Sequence, residues 1–135
     1  MTDTVLHGGT VWLDERGMVD ADVVIANGRI TEIVASGAGH ASNIGDVKGL
    51  TVLPGAIDAH VHLGHGTDIS RPRVPNDATT ETAAAARGGV TSMIPYILSA
   101  EPYTDVFDDI KSVTEEGARI DFGFHFVIAT EAQLA

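Results

Sequence analysis

The stretch Val52-Leu53-Pro54-Gly55-Ala56-Ile57-Asp58-Ala59-His60-Val61-His62-Leu63 is an apolar run broken only by residues capable of chemistry. A strand covered on both faces, as in a parallel sheet, is expected here. Alternate residues of a strand point to the same face about 7 Å apart, so Asp58, His60 and His62 are expected side by side, with Asp58 one step deeper. Two imidazoles at that spacing can each reach one ion at about 2.0 to 2.1 Å. In isolation, a His-x-His pair also arises in strands whose rings are simply satisfied in a core. The surroundings favour a metal floor: the pair closes an apolar strand, follows Pro54-Gly55, and precedes a polar loop, Gly64 to Pro75, and an alanine-rich helix.

Downstream, Asn76 or Asp77 can cap a helix that runs through Ala83 to Ala86 and stops at Gly88-Gly89. Val90 to Ile97 is the next buried strand. Thr104 can cap a second helix whose Val106, Ile110 and Val113 share a face, with Gly117 as its stop. Ile120 to Ala129 is a third strand. Strand, helix, strand, helix, strand is the pattern of parallel βαβ units. A (β/α)8 barrel takes about 250 residues, so the part from Thr51 onward is about a third of one. A shorter open sheet is the competing architecture.

Upstream the pattern is short, β-rich and broken by turns. Val23 to Ala26 and Arg29 to Val34 flank Asn27-Gly28, the pair best able to take the two positive φ values of a type I′ hairpin. Val5-Leu6 and Thr10 to Leu13 read as further short strands around Gly8-Gly9, and Ala35 to Asp46 as a surface loop. This first third is expected to be a small antiparallel sheet of structural use. The α/β chain thus divides into residues 1–52 and residues 53–135.

With 44% apolar and 20% charged residues in 135, the composition is that of a folded protein. A formal net charge of -11 at pH 7 opposes binding to nucleic acid or to anionic membrane. There is no cysteine, so any metal is held by nitrogen and oxygen ligands. Met1-Thr2-Asp3-Thr4 has no basic region and no long apolar stretch follows, which predicts a soluble, unexported, cytoplasmic protein.

The segment Leu53 to Leu63 resembles the first barrel strand of the amidohydrolase superfamily, of the hydantoinase and dihydropyrimidinase type. Asp22 to Val34, "DVVIANGRITEIV", is similar to the N-terminal β-sandwich of those enzymes, and Ala83 to Met93, "AAAARGGVTSM", resembles their first helix and second strand. The resemblance implies a small β-sandwich portion over residues 1–52. It implies the first βαβαβ units of an incomplete TIM-type barrel over residues 53–135. It also implies one or two divalent metals, usually zinc, with His60 and His62 as the ligands from this strand. Dihydroorotases follow the second histidine with Leu-Arg, whereas this chain reads Leu63-Gly64-His65-Gly66, which weakens that reading. Allantoinase remains a competing one.

By the same resemblance, hydroxide formed at the metal opens a cyclic amide to an N-carbamoyl amino acid. A carboxylated lysine, two further histidines and a late aspartate complete the family site, and none is placed in this chain. The one lysine after His62 is Lys111, on a predicted outer helix. No catalytic residue is therefore assigned within the chain. It is expected to be an N-terminal portion, inactive alone, of an enzyme that takes a small cyclic amide and is homo-oligomeric when complete. A scaffold relative without metal ligands is the non-enzymatic alternative, against which His60 and His62 argue; a truncated product is the other.

Among the remaining residues, Asp58 is read as a hydrogen-bond partner behind the ligands. His65, Arg71 and Arg73 lie on the loop at the expected mouth. They are read either as substrate contacts or as solvated charges, with salt bridges to Asp68 or Asp77. His125 is read as a core or supporting histidine, and His7 and His40 as surface residues.

Overall fold

The computed structural model describes residues 3–63, 75–99 and 102–134, and its contacts divide it into two compact units between Pro54 and Gly55. The first unit contains β1 (Thr4–Leu13), β2 (Gly17–Ala26), β3 (Arg29–Ala35), β4 (Asn43–Asp46) and β5 (Thr51–Val52). They form one sheet in the order β3-β2-β1-β4, with β5 also paired to β1. Asn27 and Gly28 adopt φ of 53° and 73°, so the β2–β3 hairpin turns on the pair that tolerates those angles.

Three sequence expectations are corrected in this unit. The sheet is mixed, because β1 runs antiparallel to β2 but parallel to β4 and β5. The stretch expected to be loop contains β4, whose one large apolar residue, Ile44, is 70% exposed. Such a strand has no pattern of its own and is specified by pairing with β1. Finally, Val5-Leu6 and Thr10 to Leu13 belong to a single strand. An extra residue between Leu6 and Gly9 is absorbed as a bulge, with Gly8 at φ 77°.

Val11, Ala21 and Val23 form the core of this unit, with Leu6, Leu13, Val19, Ile25 and Val52 packed against them. Beside Ala21 and Val23, Asp22 is fully buried, and a buried carboxylate is stable only when bonded. It accepts backbone N–H bonds from Gly8 (2.8 Å), Gly37 (2.9 Å) and Gly39 (3.0 Å), and meets His7 Nδ1 at 3.2 Å. Burial pushes this carboxyl up, but the three amides and the His7 charge outweigh it and hold the group at about 2, below its ordinary 3.8. His7 keeps a side chain that is 44% exposed, as expected of a surface residue, and is paired with Asp22. It sits in the β1 bulge, which the sequence pattern does not reveal.

The second unit runs β6 (Ala56–Val61), α1 (Pro75–Arg87), β7 (Val90–Ile97), α2 (Tyr103–Gly117), β8 (Asp121–Phe122), β9 (His125–Phe126) and a 3-10 turn, Glu131–Leu134. β6, β8 and β9 all pair with β7 in parallel. Ser92 faces Asp121 and Tyr96 faces His125 at the same offset, so β8 and β9 are two pieces of one strand interrupted at Gly123-Phe124. The continuous strand expected from Ile120 to Ala129 is thus realised in two short pieces. Ile97, Val106 and Ile110, with Tyr103, Phe124 and Phe126, form the core under α2. Val113 is only half-buried, and Thr114 takes the buried position on that face by donating its hydroxyl to the Ile110 carbonyl.

Two further expectations change. Thr104 does not cap α2: Pro102 holds that position at φ -54° with no side-chain cap bond, and Thr104 falls inside the first turn. β6 is not a buried strand, since Ala56 to His60 are exposed and Ile57 is 67% exposed. Its pairing partner among the described residues is β7, which leaves it at the edge of this sheet; parallel strands are buried only between neighbours. No helix among the described residues is long and apolar enough to cross a membrane.

Candidate functional site

β6 delivers His60 as its penultimate residue and His62 just past its end, so both stand where a parallel strand terminates. Ligands of α/β proteins gather at that end. The strand is irregular there. While β6 advances from Asp58 to Val61, its partner advances only from Met93 to Pro95, so β6 carries one extra residue through Ala59 and His60. This is a bulge, which re-aims the side chains that follow it. The Asp58 carboxylate accepts the backbone N–H of His60 at 3.1 Å, closing the irregular turn. The strict alternation expected to align Asp58 with His60 and His62 is therefore interrupted between Asp58 and Val61.

The rings of His60 and His62 have centroids 5.2 Å apart and planes at 75°. Two imidazoles that share one tetrahedral ion at about 2.0 to 2.1 Å stand roughly 5 Å apart between ring centres. The pair fits a shared divalent cation by that measure. Among the described residues, no group of three or more His, Cys, Asp or Glu side chains is placed to hold a metal, so the described portion forms no closed metal site.

A third ring completes the face. Tyr96 of β7 stacks on His60 with centroids 4.0 Å apart and planes at 22°, and lies 6.1 Å from His62. His125 of β9 meets the other side of the array, 4.9 Å from Tyr96 and edge-on at 80°. Sequence reasoning singled out His125 and missed Tyr96. The available signal was the alternation of β7: Met93, Pro95 and Ile97 are buried on one face, which leaves Tyr96 on the other.

Behind this face two side chains tie the segments that leave β7 and β9. The Tyr103 hydroxyl lies 3.0 Å from the Ile97 carbonyl and 2.6 Å from that of Val127, within reach to donate to either. Gln133 donates to the Ser99 carbonyl at 2.6 Å and accepts from the amides of Ala129 (2.7 Å) and Thr130 (3.0 Å). Neither clamp was legible in the sequence, because each joins segments distant along the chain. Of the other residues considered, His40 is exposed, and Lys111 lies on α2 in an ion pair with Glu115 at 2.8 Å. His65, Arg71, Arg73 and Asp68, with the loop that carries them, lie outside the described residues.

A parallel α/β sheet whose first strand ends in paired imidazoles defines the class: an α/β protein with two histidine rings at a strand terminus. Known proteins narrow it. The chain is 29% identical over 133 residues to a D-hydantoinase of Streptomyces coelicolor, covering 93% of this chain and 28% of that one. It is 37% identical over 123 residues to an allantoinase of Rubrobacter xylanophilus, covering 89% of this chain and 26% of the other. The crystal structure of dihydropyrimidinase from Brevibacillus agri superimposes with a TM-score of 0.78 at 28% identity, over 98% of this chain and 29% of that one. No family model matches the chain. The chain belongs to the amidohydrolase family of hydantoinases, dihydropyrimidinases and allantoinases, and corresponds to their N-terminal part. It spans little more than a quarter of the length of these relatives.

Proposed function

We propose that this chain supplies the first strand and the first two metal ligands, His60 and His62, of a metal-dependent hydrolase that opens the ring of a cyclic amide. The observation that carries the reading is the 5.2 Å separation of the two imidazoles at the end of β6. With no cysteine in the chain, the donor set is nitrogen and oxygen, which suits zinc. A bound divalent ion would supply an activated water and a Lewis acid for the ring carbonyl. The chain's own part is to hold the donors: β6 brings both rings to the strand terminus, and Asp58 fixes the His60 backbone. In this reading the first unit is a β-sandwich portion and the second the opening βαβαβ of a (β/α)8 barrel. The ligands beyond His60 and His62 come from sequence outside this chain.

Hydantoin and dihydropyrimidine rings are the favoured substrates. Allantoin is the second reading, favoured by the higher identity to the allantoinase, 37% against 29%. Two experiments test the proposal. Titration of the chain with Co(II) is expected to show weak binding that His60→Ala and His62→Ala each abolish; binding indifferent to both substitutions sinks the ligand assignment. Assay of the full reading frame against hydantoin, a dihydropyrimidine and allantoin then identifies the ring, and hydrolysis of none of them ends the amidase reading.

A further inference from the structure

We propose that Tyr96 is the positioning residue of the imidazole pair, setting the plane in which the His60 ring presents its nitrogens. Its value to metal binding rests on the ligand reading above; its effect on the ring does not. Asp58 fixes only the backbone of His60, through the N–H bond at 3.1 Å. The ring hangs on two further torsions, and the second of these is broad for histidine. His60 is exposed, so core packing does not lock it. What stands against its face is the Tyr96 ring, at 4.0 Å and 22°. Tyr96 is in turn braced edge-on by His125 at 4.9 Å, and these two residues are direct register partners on β7 and β9.

Three rings on three neighbouring strands thus form one ladder, with His60 at the end that meets His62. His125 stands edge-on against Tyr96, at the end of the ladder opposite His60. Stacked aromatic pairs correspond to roughly a 3- to 10-fold preference for the stacked arrangement. A ligand ring held in that way loses less freedom when it binds.

The test uses the 135-residue chain with Tyr96→Phe, which keeps the ring, and Tyr96→Leu, which removes it. Without metal, the His60 ring protons are expected upfield of those of exposed His40 in the proton NMR spectrum of the unsubstituted chain and of Tyr96→Phe, and to lose that displacement in Tyr96→Leu. With Co(II), Tyr96→Leu is expected to bind roughly 3- to 10-fold more weakly, and Tyr96→Phe to stay within about 2-fold. His60 protons at His40 positions in the unsubstituted chain overturn the proposal without need of any variant. So does a Tyr96→Leu chain, folded by circular dichroism, with unchanged cobalt affinity, or a Tyr96→Phe chain that loses as much as Tyr96→Leu. An unsubstituted chain that binds no cobalt contradicts the ligand reading instead. The upfield displacement, lost in Tyr96→Leu, then still establishes that Tyr96 sets the ring.

Discussion

Asp22 and Asp58 perform the same local act in two units of the molecule. Each carboxylate accepts the backbone N–H of a residue in a β-bulge: Asp22 that of Gly8 across the β1–β2 ladder, Asp58 that of His60 two positions ahead in its own strand. Their surroundings differ. Asp22 has no exposed surface and gathers the amides of Gly37 and Gly39 as well, whereas Asp58 is exposed at the strand end that carries the two imidazoles. A buried amide left without a partner costs about 1 to 3 kcal/mol, while an exposed one turns to water at little cost. The first bulge is therefore a knot in the fold. The second aims side chains and contributes little to stability, which is the condition a ligand site can use.

The largest expected effect is on the knot. Asp22→Ala removes the shared acceptor of three backbone amides, on half-buried Gly8 and Gly39 and exposed Gly37, and is expected to destabilise the first unit by about 3 kcal/mol. Urea unfolding followed by the fluorescence of Trp12 reads this unit alone, since it is the sole tryptophan and lies on β1. A loss under about 1 kcal/mol would dissolve the contrast between the two bulges. The acid limb sharpens it. Folding lowers the Asp22 pKa from 3.8 to about 2, so its contribution is complete above pH 3.8 and disappears as pH falls from there through about 2. In Asp22→Asn the stability curve is expected to flatten over that window, and an unchanged slope would place the acid sensitivity elsewhere.

Gly39→Ala comes next. Its new Cβ would lie 2.7 Å from Val5 Cγ2 and 2.9 Å from Asp22 Cβ, closer than packing allows, so a loss of about 1 to 3 kcal/mol is expected by the same fluorescence readout. Stability equal to that of the unsubstituted chain would show that the 36–39 segment is not clamped onto Asp22. Smallest in stability is Asp58→Ala, which removes the acceptor of the His60 N–H and is expected to shift unfolding by less than about 0.5 kcal/mol. Its effect should appear in Co(II) affinity, weakened by about 10-fold as the His60 backbone loosens. A stability loss as large as that of Asp22→Ala would mean that both bulges are knots.

Several elements were legible because short-range chemistry sets them. Asn27-Gly28 turns the hairpin through its positive φ values, Gly89 ends α1 at φ 87°, and Val90–Ile97 forms β7 because its apolar run is bounded by that glycine pair. A strand that lacks a pattern was not legible: β4 exists through its partner β1. β8 and β9 fall within the strand expected from Ile120 to Ala129, and only its break at Gly123-Phe124 was hidden. Of the candidate site, the His60–Val61–His62 spacing was plain in the sequence. Tyr96 read as one more apolar strand residue: the alternation of β7 sets it opposite Met93, Pro95 and Ile97, but only the neighbouring strands bring other rings to that face.

The amino-acid order by itself determined that two imidazoles, one residue apart, close an apolar strand that begins a βαβ series; spacing, composition and turn chemistry are local properties. Tertiary structure alone decided where those rings point. One residue inserted into a ladder reverses the faces of everything beyond it, and that insertion, between Asp58 and Val61, is defined only by the strand lying alongside.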